Sequence, residues 1–259
     1  MSKQGLAVII PSRRQPQQEE FLTRAVASIR SQTVIDDFDV RILVGVDAGE
    51  VPESDLADRL GLTFVESPGR YAVSANNAAA RLVDSGLIAF LEDDDQWFPQ
   101  YLQTALEVLP HAAFVSSTTL EHDENGVLVR IFDFPVPSGW LMPLSTFRTV
   151  GEFDPAYRFH FDNEWLGRLA ESGLPRVHLV EATAPMMPGK FDTRPWLANV
   201  LNMGGPASRL ARHPSPYPLV RRLVHSNSGM QRIASQRDLA EVSAAEMGAL
   251  LTRFGRLPW

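Results

Sequence analysis

The sequence predicts an α/β protein built on a doubly wound, mostly parallel β-sheet. Short apolar runs alternate with amphipathic helical patterns through the first 110 residues, and turn-rich stretches separate them. With 259 residues, the chain can bury a sizeable core in one large domain or two small ones.

Four apolar runs in the first half are predicted strands, at residues 6–10, 40–46, 62–65 and 87–91. The fourth run is wholly apolar, which is typical of a central strand covered on both faces. Helical patterns occupy residues 18–31, 55–60, 71–83 and 100–109. Because ligands of such sheets bind outside the carboxyl ends of the strands, we expect the site in loops 11–14, 47–50 and 92–96.

The pattern is less regular after Pro110. Residues 113–119 and 127–134 are predicted strands, residues 135–143 a loop, and residues 162–172 a helix. Residues 183–218 are dense in proline and glycine, which predicts a mobile lid or an irregular wrap, and residues 219–254 are predicted to be mostly helical.

Composition excludes several classes of partner. The formal net charge of −7 argues against binding nucleic acid or an anionic membrane. The absence of cysteine excludes disulfides and thiolate metal sites and fits a cytoplasmic protein. No segment approaches the roughly 20 apolar residues of a spanning helix, so we expect no integral membrane segment. The oligomeric state stays open, and a homo-oligomer is compatible with the sequence.

An acidic run, Glu92-Asp93-Asp94-Asp95, directly follows the fourth strand. Carboxylates held so close repel one another unless a proton or a cation lies among them. A divalent cation such as Mn²⁺ or Mg²⁺ resolves the repulsion and can hold a diphosphate as a leaving group. In the alternative interpretation the acids cap the following helix. The position at the carboxyl end of a strand favours the metal site.

The run and its surroundings resemble a known signature. Residues 90–99, followed by Leu102, resemble the acidic signature of glycosyltransferase family 2, the large group with the GT-A fold: an apolar strand, acids, an aromatic residue, a proline and a helix. Further matching stretches keep the family's order, at residues 8–12, 25–33, 70–78, 150–154 and 162–168. The resemblance covers roughly residues 5 to 175.

The resemblance implies a GT-A fold with a Rossmann-like half and a defined activity. Residues 1–110 would bind the nucleotide sugar and residues 111–182 the acceptor. Residues 183–259 would form a lid and a helical C-terminal extension within the same compact domain. The implied reaction is metal-dependent transfer of a sugar from a nucleotide sugar, a UDP-sugar being commonest in the family, to an unknown acceptor hydroxyl with inversion.

The family pattern also implies roles for individual residues. Asp94 falls at the main metal ligand, Glu92 at the first place of the Asp-X-Asp motif, and His225 at a third ligand for which His213 is the alternative. Asp95 is expected to support its neighbours. Contacts to the nucleotide sugar are expected from seven residues: Pro11, Ser12, Arg13, Asp47, Arg70, Asn76 and Asp93.

Two residues are assigned to the acceptor side. Asp162 falls where the family carries its general base, and the apolar neighbour Phe161 would raise its pKa; the alternative is an N-cap of the following helix. Trp140 is expected to line the acceptor pocket, and the alternative is a core tryptophan.

Three other functions compete with this interpretation. A nucleotidyltransferase also uses metal-binding acids on a doubly wound sheet, but residues 11–14 lack the glycines of its loop. A retaining GT-A transferase is compatible because the acidic motif does not encode stereochemistry. A catalytically inactive module that binds sugar nucleotides is disfavoured because Asp94 and Asp162 are both present.

Overall fold

The computed structural model describes residues 3–13, 15–52, 55–181 and 210–255. In these ranges the strands are β1 Gln4–Pro11, β2 Phe38–Asp47, β3 Thr63–Ser67, β4 Leu87–Phe90, β5 Gln96–Trp97, β6 Phe114–Ser117, β7 Thr119–Asp123, β8 Leu128–Phe132, β9 Trp140–Pro143, β10 Arg176–Glu181, β11 Leu210–Ser215 and β12 Val220–Val224. The α-helices are α1 Gln18–Arg30, α2 Leu56–Leu60, α3 Tyr71–Ala80, α4 Tyr101–Val108, α5 Leu144–Val150, α6 Phe161–Glu171, α7 Gly229–Ser235 and α8 Arg237–Phe254.

Within the described ranges, the main sheet has eight strands in the order β11-β10-β6-β9-β4-β1-β2-β3. Neighbouring strands are parallel except β9, which is antiparallel to both β4 and β6. The predicted α/β class with a mostly parallel sheet is therefore confirmed.

Helices cover both faces of this sheet because its central strands are apolar on both sides. Val8 of β1 belongs to one hydrophobic cluster together with residues of α1 and α4, whereas its neighbour Ile9 belongs to a second cluster with residues of α3, α5 and α6. Successive residues of a strand point to opposite faces, so the apolar residues of β1 contribute to the hydrophobic clusters on both faces of the sheet. Both side chains are completely buried.

The structure corrects three predictions in the second half. The predicted loop 135–143 contains β9, which lies between β4 and β6. The predicted irregular stretch 183–218 contains β11, and residues 182–209 lie outside the described part of the chain. The predicted helical region 219–254 begins with a strand, β12. These strands are short, and their neighbours in the sheets are distant in sequence, so local periodicity does not reveal them.

A second sheet, in the order β5-β12-β7-β8, brings the C-terminal segment to the acidic run. β5 begins one residue after Asp95 and pairs antiparallel with β12, with Val220 opposite Trp97. β12 also pairs with β7 in parallel. Residues beyond 220 are thereby held beside loop 92–96.

No helix within the described ranges is long and apolar enough to cross a lipid bilayer.

Candidate functional site

The four acids at the end of β4 differ in exposure. Asp93 and Asp95 are buried, with 8% and 1% of their surface exposed, whereas Glu92 and Asp94 are partly exposed. The two less deeply buried carboxylates are the ones that the family pattern assigns to the metal.

Hydroxyl groups hold the two buried acids in place. The Oγ of Ser12 donates to Oδ2 of Asp93 at 2.7 Å, and the Oγ of Ser138 donates to Oδ2 of Asp95 at 2.5 Å. The backbone N–H of Leu223 in β12 donates to the other oxygen of Asp95 at 3.2 Å. The run is thus tied to the end of β1, to the segment before β9 and to β12.

His225, one residue after β12, contacts Asp94 directly. Its Nε2 lies 2.8 Å from Oδ2 of Asp94, although 131 residues separate the two in sequence. The imidazole is buried and packs edge-on against the ring of Phe21, with 5.3 Å between the ring centroids. His213, the alternative, lies exposed on β11, an edge strand of the main sheet.

Burial and the charge of Asp94 raise the pKa values of the other three acids of the run. Burial, together with the charge of Asp94, raises the pKa of Glu92 to about 8. Burial and the same neighbour raise the pKa of Asp93 to about 8, against the lowering effect of the Ser12 hydrogen bond. Burial also raises the pKa of Asp95 well above its ordinary value. The site therefore favours a bound positive charge.

Arg222 of β12 is a site residue that the sequence analysis missed. Burial alone would lower the pKa of its guanidinium, but the carboxylates of Asp95, Glu121 and Glu92 raise it. Its Nη1 also lies 3.2 Å from Oε1 of Glu121. The arginine supplies a fixed positive charge beside the acids. In the sequence, Arg222 lies in the stretch 219–254 that was predicted to be mostly helical, where the adjacent pair Arg221 and Arg222 is its only signal.

Asp162 lies in the first turn of α6, next to the same cluster. The helix begins at Phe161, so Asp162 is inside the helix and is not its N-cap. Burial raises the pKa of Asp162, against the lowering effect of its hydrogen bond from the N–H of Asn163. Its negative charge is among those that raise the pKa of Glu92, and Arg222 acts on both carboxyls. The fold thus brings Asp162 near enough to the acidic run for its charge to raise the pKa of Glu92.

The residues assigned to the nucleotide lie partly at this edge of the sheet. Pro11 ends β1 opposite Gly45, two residues before Asp47 at the end of β2. Arg13 donates from Nη2 to the backbone oxygen of Asn227, which ties the loop after β1 to the segment after β12.

Asn76 and Arg70, the other two residues assigned to the nucleotide sugar, differ in burial. Asn76 is 1% exposed, and neither its amide nitrogen nor its amide oxygen has a hydrogen-bond partner among the described residues. A buried amide without partners is costly, which is a physical reason to expect a ligand contact there. Arg70 is exposed, and no contact between described residues links it to the acidic run.

Trp140 is part of the core, which corrects the expectation that it lines an acceptor pocket. The side chain is completely buried, its Nε1 donates to the backbone oxygen of Pro135 at 2.8 Å, and its ring packs against Trp165 with 5.1 Å between centroids. An aromatic core residue with a satisfied N–H explains the tryptophan without any ligand.

The residues at the site fit a divalent cation in their chemistry. A carboxylate oxygen and an imidazole nitrogen are ligands that Mn²⁺ accepts, and Asp94 and His225 place one of each together. No group of three His, Cys, Asp or Glu side chains in the described ranges is arranged to hold a metal. Two of the three predicted ligands therefore converge, and Glu92 lies next to them in the run.

The chain matches the sequence profile of glycosyl transferase family 2 over residues 7–165, more than half of its length. It belongs to that family, and the resemblance inferred from its motifs is confirmed. No curated protein sequence matches the chain significantly.

Solved structures show the same fold. S. aureus TarS 1-349 in complex with UDP is similar, with a TM-score of 0.57 and 11% sequence identity over 92% of this chain and 64% of that chain. The complex of the same fragment with UDP-GlcNAc matches with a TM-score of 0.57 and 12% identity, over 95% of this chain and 66% of that one. S. aureus TarS itself matches with a TM-score of 0.55 and 12% identity over 91% of this chain, which spans 39% of TarS. The GT-A fold is thereby confirmed.

Proposed function

We propose that the protein transfers a sugar from a nucleotide sugar, with UDP as the nucleotide, to an acceptor hydroxyl, with inversion and with the help of Mn²⁺ or Mg²⁺. The observation that carries the proposal is the contact between Asp94 and His225 at the carboxyl end of β4. The UDP and UDP-GlcNAc complexes of the structurally similar TarS fragment support the choice of donor.

Asp94 and His225 would hold the cation, with Glu92 beside them. The cation, when bound, neutralises the diphosphate and stabilises it as a leaving group. Ser12 fixes Asp93 for contact with the donor's ribose or sugar, and Asn76 has an amide free to bind it. We place donor binding in residues 1–110 and acceptor binding in residues 111–182.

Asp162 is proposed as the general base. Its carboxylate takes the proton of the acceptor hydroxyl while that oxygen attacks the anomeric carbon. The new carbon–oxygen bond forms as the bond to the diphosphate breaks, and the nucleoside diphosphate leaves with the electron pair. The raised pKa of Asp162, caused by burial, makes the carboxylate a stronger base.

A thermal-shift screen tests the proposal. UDP with Mn²⁺ at about 100 times its dissociation constant should stabilise the fold by about 2.7 kcal/mol, a shift in Tm of about 5–10 °C for a chain of this size. EDTA should reverse most of the shift. No shift with UDP or UDP-GlcNAc in the presence of Mn²⁺ would contradict the proposal.

Product analysis separates the remaining alternatives. From the α-linked donor UDP-GlcNAc, inversion gives a β-linked product, and an α-linked product would identify a retaining transferase. Transfer of the uridylyl group to the acceptor, with release of GlcNAc-1-phosphate, would identify a nucleotidyltransferase. Binding without even slow donor hydrolysis would identify an inactive binding module.

A cytoplasmic location is also part of the proposal. Fractionation of cells that express the chain at its native level tests it, and recovery with the membrane fraction after a high-salt wash would contradict it.

A further inference from the structure

The C-terminal helix α8 has an unusual buried face. Of its 18 residues, the buried ones are Leu239, Glu246 and Leu250. A carboxylate is costly to bury unless hydrogen bonds replace its water. Glu246 is 8% exposed, so its partners explain why the helix lies where it does.

Three consecutive backbone N–H groups donate to this one carboxylate. The N–H of Arg158 donates to Oε1 at 2.7 Å, and those of Phe159 and His160 donate to Oε2 at 2.9 and 3.0 Å. These residues directly precede α6, which begins at Phe161 and has no side-chain cap of its own. The N–H groups at a helix start need external acceptors and favour negative charge. Of the three donors only His160, the residue just before the first helical residue, belongs to the helix start, so Glu246 holds the loop that leads into α6.

A second contact of α8 reaches the same loop. The Oγ of Ser243 lies 2.8 Å from Nε2 of His160. Ser243 and Glu246 are three residues apart and therefore share one face of α8. His160 is buried and is held both by its backbone and by its ring.

Further along, α8 also contacts the body of α6. Nη1 of Arg253 lies 2.5 Å from Oε1 of Glu164, and the ring of Phe254 packs so closely on Gly167 that an added Cβ would lie 2.4 Å from it. The two helices are thus joined at the start of α6 and at its middle. Loop 158–160 is therefore placed by its contacts with α8 as well as by its own chain.

Asp162 follows this loop by two residues. The hydrogen bonds that it accepts, from the backbone N–H and side-chain amide of Asn163, both reach Oδ1, and Oδ2 accepts none from the described residues. One oxygen of Asp162 therefore bonds the first turn of its own helix, and the other stays available for a substrate.

We propose that Glu246 is a positioning residue for the general base: by holding the N–H groups of residues 158–160, it sets the place of Asp162 at the start of α6. This inference rests on the proposed role of Asp162. Displacing a catalytic group by about 1 Å can slow a reaction about 100-fold, so a carboxylate that holds the loop before Asp162 can change kcat without touching the substrate.

Glu246→Gln tests the proposal with little change in volume. It replaces one acceptor oxygen by an NH₂ group that faces N–H donors. Glu241→Gln is the matched control, because Glu241 lies on the same helix and is exposed, pairing only with Arg237 among the described residues. Thermal unfolding confirms that both variants are folded at the assay temperature.

Two measurements are made on each variant. Amide hydrogen exchange at residues 158–160 should be at least about 10-fold faster in Glu246→Gln, because the loop opens locally. The kcat for UDP release from UDP-GlcNAc with Mn²⁺ should fall about 10- to 100-fold while the donor KM stays within about 2-fold, because the base and not the donor site has moved. Glu241→Gln should match the wild type in both.

The outcomes separate this inference from the proposed function. Faster exchange with an unchanged kcat would leave Glu246 with a purely structural role. Unchanged exchange would show that the hydrogen bonds of Glu246 do not hold the loop. Either result overturns the inference. Asp162→Asn is measured alongside. A fully active Asp162→Asn would overturn the base assignment, whatever Glu246→Gln does, whereas an inactive Asp162→Asn with a normal Glu246→Gln overturns only the inference drawn from α8.

Discussion

At the scale of single residues, adjacent carboxylates of the acidic run have different surroundings and therefore different uses. Asp93 and Asp95 each accept a hydrogen bond from a serine hydroxyl. Asp94 is 18% exposed and its partner is an imidazole. A hydroxyl donor holds a carboxylate in place, whereas an imidazole nitrogen can share a cation with it. This difference in neighbours is the reason why we propose Asp94 as the metal ligand and Asp95 as a supporting acid.

Asp94→Asn should remove the Mn²⁺-dependent stabilisation by UDP. The amide keeps the shape of the side chain but loses the charge that a divalent cation requires. Isothermal titration of UDP with Mn²⁺ measures the loss, which we expect to be at least about 100-fold in Kd, the upper end of the effects known for outer-shell partners of metal sites. Asp84→Asn, an exposed acid in the turn before β4, is the control and should bind normally. Normal binding by Asp94→Asn would place the cation elsewhere.

Asp162→Asn should separate binding from turnover. Asparagine cannot take a proton, so kcat should fall by about 100-fold or more, the usual scale of general-base loss. The Kd of UDP with Mn²⁺ should stay at the wild-type value, because Asp162 is assigned to the acceptor side. Steady-state kinetics and titration on the same preparation check both statements, and a wild-type kcat would refute the assignment.

At the scale of elements, the close approach of β2 and α3 requires a glycine. A Cβ built on Gly45 would lie 2.2 Å from the backbone oxygen of Ala75. Backbone atoms on both sides cannot move aside as a flexible side chain would, so the separation of the strand and the helix is set by this residue. Because Asn77 of the same helix bonds Phe153 through both amide atoms, the position of α3 also affects the segment before α6.

Gly45→Ala should therefore lower the free energy of unfolding by about 1–3 kcal/mol, the usual cost of overpacking. Gly248→Ala is the matched comparison, because Gly248 lies in α8 with no atom within 4 Å of an added Cβ. Alanine there should stabilise the protein by about 0.5–1 kcal/mol through helix propensity. Urea unfolding measures both. Equal effects of the same sign would contradict the packing argument.

At the scale of the whole molecule, a buried polar network joins distant parts of the main sheet. His178 of β10 lies 2.8 Å from Oγ of Ser116 in β6 and 2.8 Å from Oδ1 of Asp133, which also pairs with Arg212 of β11 at 2.8 Å. Ser116, His178 and Asp133 are 0–3% exposed, so the network is too deeply buried to act on a substrate. It fixes how strands from residues 116 to 212 assemble.

The burial of His178 in this network predicts that the folded protein loses stability at acid pH. Burial lowers the pKa of His178 below its ordinary 6.5, against the raising effect of the hydrogen bond to Asp133. Below pH 6.5 the unfolded chain therefore binds a proton that the folded chain does not, and stability falls as the pH falls through that window. The contribution is fully present above pH 6.5.

Tm measured between pH 7.5 and 5 checks the sign. The wild-type Tm should fall with pH more steeply than that of His178→Gln, whose amide does not titrate. His111→Gln, at an exposed position, should keep the wild-type slope. An unchanged slope in His178→Gln would assign the acid sensitivity to other groups.

Much of the fold was predictable because, in the first half, the periodicity of apolar residues along the chain matches the helices and strands that form. The face of α1 that periodicity selected, Phe21, Leu22, Ala25, Val26 and Ile29, is the face that is buried. β9 was missed because four residues between turn-formers carry no usable period, although the gap between β4 and β6 requires a strand there. Trp140 was misassigned because a tryptophan's sequence neighbours do not show whether its ring meets a core or a sugar.

The sequence by itself determined the family, the α/β class and the acidic run at the end of β4, because these depend on order, spacing and periodicity along the chain. Only the tertiary structure decided which histidine meets Asp94, that Arg222 lies near the acids, and that Glu246 holds the loop before the helix of Asp162. Those contacts join residues 86 to 131 positions apart. Their formation depends on how β12 and α8 pack, which local sequence does not specify.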